Sequence, residues 1–279
     1  MTTNASAQFY GSQERFRNAT TSEEKLKALQ EMYQLAPKHK SSEKLLSEIK
    51  AKISKYKQLA TKEKQAKKSG KSLGIRKEGA AQITIIGLTN TGKSTLLNKI
   101  TNIKTEVAPY KFTTKKPVIG TLDYKGVKIQ IIEIPAIVEN YIEQPNGPTN
   151  LSVVRQCDLI IITYKTDKDI ELVKNELKTN DIYKEHILYQ EQDDIADEIW
   201  LRLGLIKVYT KQPGKKPTYP PIAFKKGTTV RALAEVVHKD ILDNFKFARI
   251  WGKSVKHASM RCGLNHVLKD EDIVELHAK

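Results

Sequence analysis

The chain has 279 residues, of which 39% are apolar, with a formal net charge of +16 and two cysteines. No run of 18 or more apolar residues is present, and Met1 to Gln8 has neither the basic start nor the apolar run of a signal peptide. Neither a membrane span nor a secretory leader is therefore expected. Cys157 and Cys262 have no CxxC partner, which argues against a disulfide or zinc framework and for reduced thiols in a cytoplasmic protein. The charge sits at the two ends. Residues 1–80 carry 18 Lys and Arg against 8 Asp and Glu, residues 81–203 carry 15 against 17, and residues 204–279 carry 15 against 7. Basic ends suit a polyanionic partner; a solvated lysine surface is the competing reading.

In chain order, residues 22–36 predict a helix. Leu26, Leu29, Met32, Tyr33 and Ala36 form one stripe, Thr21 or Ser22 can cap it, and Pro37 stops it. A second helix is expected from Ser41 or Ser42, with Leu45, Ile49, Ile53, Tyr56 and Leu59 on one face. Together they predict a helical hairpin. Residues 50–77 hold eleven Lys and Arg but one acid, Glu63. These lysines are expected to face away from the stripe and be free for a partner. Ser69, Gly70, Ser72 and Gly74 mark a linker.

From Gln82 the pattern changes to short apolar strands alternating with helices. Strands are expected at Ile83–Ile86, Val127–Ile134, Asp158–Thr163 and His186–Tyr189, and helices after Ser94, at Ile170–Leu177 and at Asp194–Leu203. That alternation predicts a parallel α/β sheet. After Gly204, strands at Leu205–Thr210, Ala248–Trp251 and Ile273–Leu276 surround one helix at Thr228–Leu242. This is the pattern of a small α+β module of β-grasp type.

Between the first strand and its helix lies Gly87-Leu88-Thr89-Asn90-Thr91-Gly92-Lys93-Ser94, a P-loop of the form GxxxxGK[ST]. The backbone of such a loop points N–H groups at phosphate oxygens, its lysine reaches the outer phosphates, and its serine can hold Mg²⁺. Gly87, Asn90, Thr91, Gly92, Lys93, Ser94 and Thr95 are the candidate phosphate-binding residues. Thr113 and Thr114 follow in a loop about twenty residues on, which is spacing suited to a second Mg²⁺ ligand.

Three groups of segments resemble the Obg-like GTPases, in the branch of the developmentally regulated GTP-binding (DRG) proteins. They are residues 87–101, 107–114 and 124–130; residues 204–211, with Val237-His238-Lys239-Asp240; and residues 251–257 and 268–272, the last two groups resembling that branch's TGS domain. The resemblance covers about residues 22–279. It implies an α/β P-loop GTPase-like domain at 81–203, a basic helical region and linker at 1–80, and a β-grasp TGS domain at 204–279. It also implies a GTP-binding, ribosome- or RNA-associated translation factor, with Ser94 and Thr114 holding Mg²⁺ and room for a protein partner. Asn90 stands where several potassium-activated GTPases place an asparagine that helps coordinate K⁺, although DRG proteins usually carry serine there.

The chain also departs from this family. Its switch II motif, Asp-x-Pro-Gly, is here Glu133-Ile134-Pro135-Ala136. Glu133 keeps the charge on a longer arm, so its metal contact must shift. Ala136 keeps an N–H for a γ-phosphate but loses the positive-φ freedom of glycine. Ile137 occupies the place of the water-orienting glutamine of Ras-like proteins; an apolar residue there is usual in Obg-like proteins. The base-reading Asn-Lys-x-Asp is replaced by Gln190-Glu191-Gln192-Asp193. Asp193 could still accept from guanine N1 and N2, while Glu191 reverses the charge of the lysine. The last strand of the domain, its Ser-Ala-Lys-type loop and an inserted helical subdomain are absent. The expectation is a reduced GTPase with weak guanine selectivity and slow or absent hydrolysis; the alternative is a ribosome- or RNA-binding module that uses a degenerate G domain as scaffold. Lys211, Lys215, Lys216, Lys225, Lys226, Lys253, Lys256, His257 and Arg261 are expected to meet RNA. Trp251 either stacks with bases there or lies in the module's core.

Overall fold

The computed structural model describes residues 6–38, 40–68, 75–101, 106–107, 117–144, 146–190 and 194–278. Helix α1 (Ala7–Asn18) precedes the anticipated hairpin of α2 (Ser22–Leu35) and α3 (Glu43–Lys68). A capping box starts α2, with Thr21 accepting from the Glu24 N–H and Glu24 reaching back. Ala36, ahead of Pro37, is already extended at ψ 138°, as the proline ring requires. The helices bury Phe9, Phe16, Leu29, Met32, Ile49 and Tyr56 in a core of their own. In α1, Phe9, Ser12 and Phe16 are its buried residues, a stripe too thin to have been legible by period.

The central sheet has the order β2-β3-β4-β1-β5-β6. Its strands are β1 (Gln82–Gly87), β2 (Glu106–Val107), β3 (Val118–Tyr124), β4 (Val127–Glu133), β5 (Leu159–Thr163) and β6 (His186–Tyr189). Strands β4, β1, β5 and β6 are mutually parallel, whereas β3 pairs antiparallel with β4 and β2 with β3. The parallel sheet expected from sequence is therefore mixed. The Tyr124-Lys125-Gly126-Val127 turn, with both central residues at positive φ, returns the chain as a hairpin. Alternation along β1 splits the core. Ile83 and Ile85 face α4 (Lys93–Ile100) and α7 (Ala196–Leu203). Ile86 faces α5 (Gly147–Gln156) and α6 (Asp167–Thr179). Each such isoleucine, fully buried, contributes about 1.5–3 kcal/mol of transfer free energy.

The C-terminal module holds a second sheet, order β10-β9-β11-β7-β8. It is built from β7 (Leu205–Thr210), β8 (Ile222–Lys225), β9 (Phe245–Trp251), β10 (Met260–Cys262) and β11 (Asp272–Ala278). The single helix expected over 228–242 is broken at His238, whose backbone is extended, into α8 (Val230–Val237) and α9 (Lys239–Asp243). Val208, Val230, Leu233, Ala248, Ile250 and Val274 close its core. Trp251 is half-buried outside that core, on the opposite sheet face, with Lys211 Nζ 4.3 Å from its ring.

The modules meet at a C-terminal and an N-terminal junction; at the first, Tyr219 lies against Gly126 and Lys225 Nζ donates to Leu203 O. Tyr124 stacks on Trp200 at 4.9 Å, and buried Lys207 lies 5.9 Å and 5.8 Å from those rings. At the other junction the N-terminal helices meet Asp181, a buried residue at φ 53° in the α6–β6 turn. Lys25 Nζ donates to its carbonyl at 2.5 Å, Lys52 Nζ to Oδ1 at 2.7 Å, and Tyr56 OH to Oδ2 at 3.0 Å. Lys55 reaches Thr179 O at 3.4 Å. Lys52 and Lys55 thus belong to an internal junction, a correction to the expectation that the lysines of this stretch are free.

Candidate functional site

In a parallel sheet the carboxyl ends of all strands lie along one edge, and ligands bind there. Four segments leave that edge side by side. Glu133 to Ile137 follows β4, the P-loop follows β1, Tyr164 and Lys165 follow β5, and Gln190 follows β6. The P-loop therefore stands between an acidic neighbour and an aromatic one.

Two glycines shape the loop. A Cβ on Gly87 would lie 2.4 Å from Thr163 Oγ1 and 2.5 Å from Thr163 O, so only glycine lets β1 and β5 approach this closely. Gly92 is left-handed at φ 85° and caps α4, turning the chain so that the first helical N–H groups, which have no intrahelical partner, face the loop. Thr91 Oγ1 bonds Leu88 O at 2.9 Å and Thr163 Oγ1 at 2.8 Å. This pins the loop to β5. Lys93, buried, spans the loop and donates to Leu88 O at 2.5 Å.

Ser94 Oγ donates to Glu133 Oε1 at 2.6 Å. The longer arm of glutamate, expected to shift the metal contact, here reaches the serine directly. A hydroxyl and a carboxylate side by side at an exposed edge are the hard oxygen donors that Mg²⁺ takes, so these residues fit that ion. Among the described residues no group of three or more His, Cys, Asp or Glu side chains could hold a metal ion. Ala136, three residues after Glu133, is half-buried. Ile137 donates its N–H to Gly87 O at 3.0 Å and is 1% exposed, packed in the core under α5 and α6. Its side chain does not enter the site. The segment is fastened further along: Tyr141 OH donates to Pro135 O at 3.1 Å, and Glu176 accepts the Asn140 and Tyr141 N–H groups at 2.8 and 3.2 Å.

On the other side of the loop an open cleft of about 510 Å³ runs between Asn90, Thr91 and Thr95 and the ends of β5 and β6, at Tyr164, Lys165, Tyr189 and Gln190. Its size is that of a small-molecule site. Neither Tyr164 nor Lys165 stood out in the sequence, where the strand was expected to end at Thr163. A groove of about 680 Å³ between α1 and α2, lined by Glu14, Arg15, Glu24, Lys27 and Glu31 among others, is larger. It lies on the N-terminal helices, which dock at the amino ends of the strands, and its lining mixes both charge signs. Thr113, Thr114, Glu191, Gln192 and Asp193 fall outside the described residues.

The open half of the C-terminal sheet presents a second surface. Phe247 stacks on His277 at 4.4 Å, with the Arg261 guanidinium 4.6 Å and that of Arg249 5.9 Å from its ring. Buried Glu275 anchors the row, within 3.8 Å of Arg249 and 3.6 Å of Lys211. Lys215, Lys216, Lys226, Lys256, His257 and Arg261 are exposed as expected. Lys225 instead donates to Leu203 O and Lys253 pairs with Glu271.

Comparison with known proteins follows the same division. Residues 82–192 match the family of 50S ribosome-binding GTPases and residues 206–278 match the TGS domain. An uncharacterized GTP-binding protein of Methanocaldococcus jannaschii is 28% identical over 92% of this chain and 93% of its own. The developmentally-regulated GTP-binding protein 1 homolog of Dictyostelium discoideum is 27% identical over 92% and 99%. Ribosome-interacting GTPase 1 of Saccharomyces cerevisiae is 24% identical over 93% and 100%. These alignments run over 369, 366 and 368 positions against a chain of 279 residues, so the relatives carry stretches that this chain lacks. Among solved structures, the G domain of the T. maritima FeoB iron transporter is similar at 24% identity, covering 44% of this chain and 82% of that one, with a TM-score of 0.35. Residues 82–192 thus form a GTPase domain of the 50S ribosome-binding family and residues 206–278 a TGS domain, and over 92% of its length the chain is similar to developmentally regulated GTP-binding proteins.

Proposed function

We propose that this protein binds GTP with Mg²⁺ at the P-loop edge, hydrolyses it slowly, and associates with the ribosome or structured RNA through its basic modules. The observation that carries the nucleotide reading is the contact of Ser94 with Glu133 beside the Gly87–Lys93 loop. Phosphate cradle and oxygen donors stand within one hydrogen bond of each other. Gly87, Asn90, Thr91, Gly92, Lys93 and Thr95 would hold the phosphates, with the Ala136 N–H toward the γ-phosphate. Ser94 and Glu133 would hold Mg²⁺, completed by Thr114. Bound Mg²⁺ neutralises developing charge on the phosphate oxygens. Slow hydrolysis is read from Glu133 and Ala136, which replace the aspartate and glycine of switch II; Ile137, committed to the core, is apolar as is usual in Obg-like proteins. Potassium enters the proposal only through the exposed Asn90 at the cleft rim; equal turnover in Na⁺ and K⁺ buffers removes it.

The partner reading rests on three supports: the basic ends of the chain, the Phe247–His277–Arg261 row, and the name of the yeast relative. Stacked rings beside guanidinium groups suit unpaired bases and phosphates. Co-sedimentation with ribosomes in the presence of a non-hydrolysable GTP analogue, GDP or no nucleotide tests it. More protein in the ribosomal pellet with the analogue is expected. Equal pelleting in all three conditions favours a scaffold that does not switch.

A further inference from the structure

The family's base-reading motif is replaced in this chain, yet the cleft beside the P-loop persists. What it offers a base is set by the ends of β5 and β6. Lys165 is the single charged side chain among the described residues lining that cleft. It is exposed at the β5 end, across the P-loop from Glu133. Its backbone is fixed rather than loose: the Lys165 N–H donates to Asp169 Oδ2 at 2.9 Å, and the Thr166 N–H to the same oxygen at 3.1 Å. This is the capping box that starts α6. Tyr164, beside it, donates its N–H to Tyr189 O at 3.4 Å, tying the two strand ends together.

Strand order assigns the ends of the ligand. With the phosphates on the loop after β1 and the metal donors at the end of β4, a nucleotide extends toward β5 and β6. Its base then meets Tyr164, Lys165 and Gln190. An ammonium group only donates hydrogen bonds. Guanine presents O6 and N7 as acceptors on one edge; adenine puts the N6 amino donor where guanine has O6. We infer that Lys165 is the specificity-determining residue of this site, selecting 6-oxopurine nucleotides by donating to O6, in place of the missing Asn-Lys-x-Asp motif. Discrimination then depends on the 6-position and not on the 2-amino group, so inosine and guanine nucleotides are accepted alike.

This rests on the reading that a purine nucleotide occupies the cleft, and the test separates the two. Full-length protein with Mg²⁺ is titrated with GTP, ITP and ATP in competition with a fluorescent GTP. Wild type, Lys165→Met, Lys165→Arg and Lys93→Ala are compared. GTP and ITP should bind within about threefold of each other and ATP about tenfold more weakly, the scale of one charged hydrogen bond to a base. Lys165→Met should bring ATP level with ITP, and Lys165→Arg, which keeps the donors, should retain the rejection of ATP. Because Lys165 is exposed, both variants are expected to fold. GTP bound about tenfold tighter than ITP, with that ratio unmoved in Lys165→Met, would place base reading on the 2-amino group and overturn the inference while leaving nucleotide binding intact. Equal binding of GTP and ATP by the wild type overturns it in the same way. Absence of nucleotide binding, or binding indifferent to Lys93→Ala, overturns the reading beneath it as well.

Discussion

Lys25 shows how one residue can tie folding to pH. It is 1% exposed, its ammonium bonds Asp181 O, and it lies 4.7 Å from the Phe16 ring. Burial brings its pKa down to about 8, with Asp181 pulling in the opposite direction. The unfolded chain keeps that proton up to the ordinary lysine value of 10.5. Between these values the unfolded state binds more protons than the folded one, so this residue's contribution to stability rises as pH climbs through the window. Lys25→Met cannot titrate. The difference in urea midpoint between wild type and Lys25→Met should therefore move in favour of wild type between about pH 7 and about pH 9.5. A difference that stays flat across that range contradicts the assignment. The two cysteines are quieter: both are buried, and burial pushes the Cys157 thiol up to about 11, which keeps it unreactive.

At the level of elements, the α6–β6 turn is the hinge between the N-terminal helices and the G domain. Asp181 precedes a parallel strand, so it lies at the sheet edge opposite the P-loop. Asp181→Asn keeps the shape but removes the charge that faces Lys52 and Tyr56. It should lower stability by about 1.5–3 kcal/mol, the value of a hydrogen bond to a charged group, in urea unfolding followed by circular dichroism. Nucleotide affinity should stay unchanged, because the site is at the other edge; a parallel loss of affinity would mean that the two edges are coupled.

Much of this architecture was legible where sequence carried a strong local signal. Strands β6 and β7 fall on the residues expected, α2 begins at its capping box, and the P-loop sits between strand and helix as its pattern requires. The failures share a cause. Strand β3 alternates half-buried, exposed and buried residues at a sheet margin, with Gly120 and Asp123 diluting its apolar pattern. Helix α5 begins with Gly147-Pro148, which reads as a turn, although proline is well placed in a first helical turn. Helix α1 has two aromatics for a stripe. At the site, the loop residues were legible from motif alone. Lys165 was not, because its relevance comes from the pairing of β5 with β1 and β6, which no local pattern encodes. The partnering of Lys52, Lys55, Lys225 and Lys253 was hidden for the same reason.

For the molecule as a whole, the P-loop pattern is kept at Gly87 to Ser94, while Gln190 to Asp193 stands in place of the base-reading motif. The loop is braced from both sides, by Thr163 on β5 and by the Ile137 N–H on the segment after β4. That segment is held in turn by Tyr141 and Glu176. A brace of this kind holds the loop preformed for phosphate. Binding of a guanine nucleotide's phosphates by Gly87 to Ser94 is the function on which the other proposals stand. Its most direct test is an equilibrium titration of fluorescent GTP into the full chain with Mg²⁺, beside Lys93→Ala. Saturable binding, weakened about 10- to 150-fold in Lys93→Ala, is the result expected from losing one charged hydrogen bond to phosphate. Binding of equal strength in the two proteins, or none in either, would rule that function out.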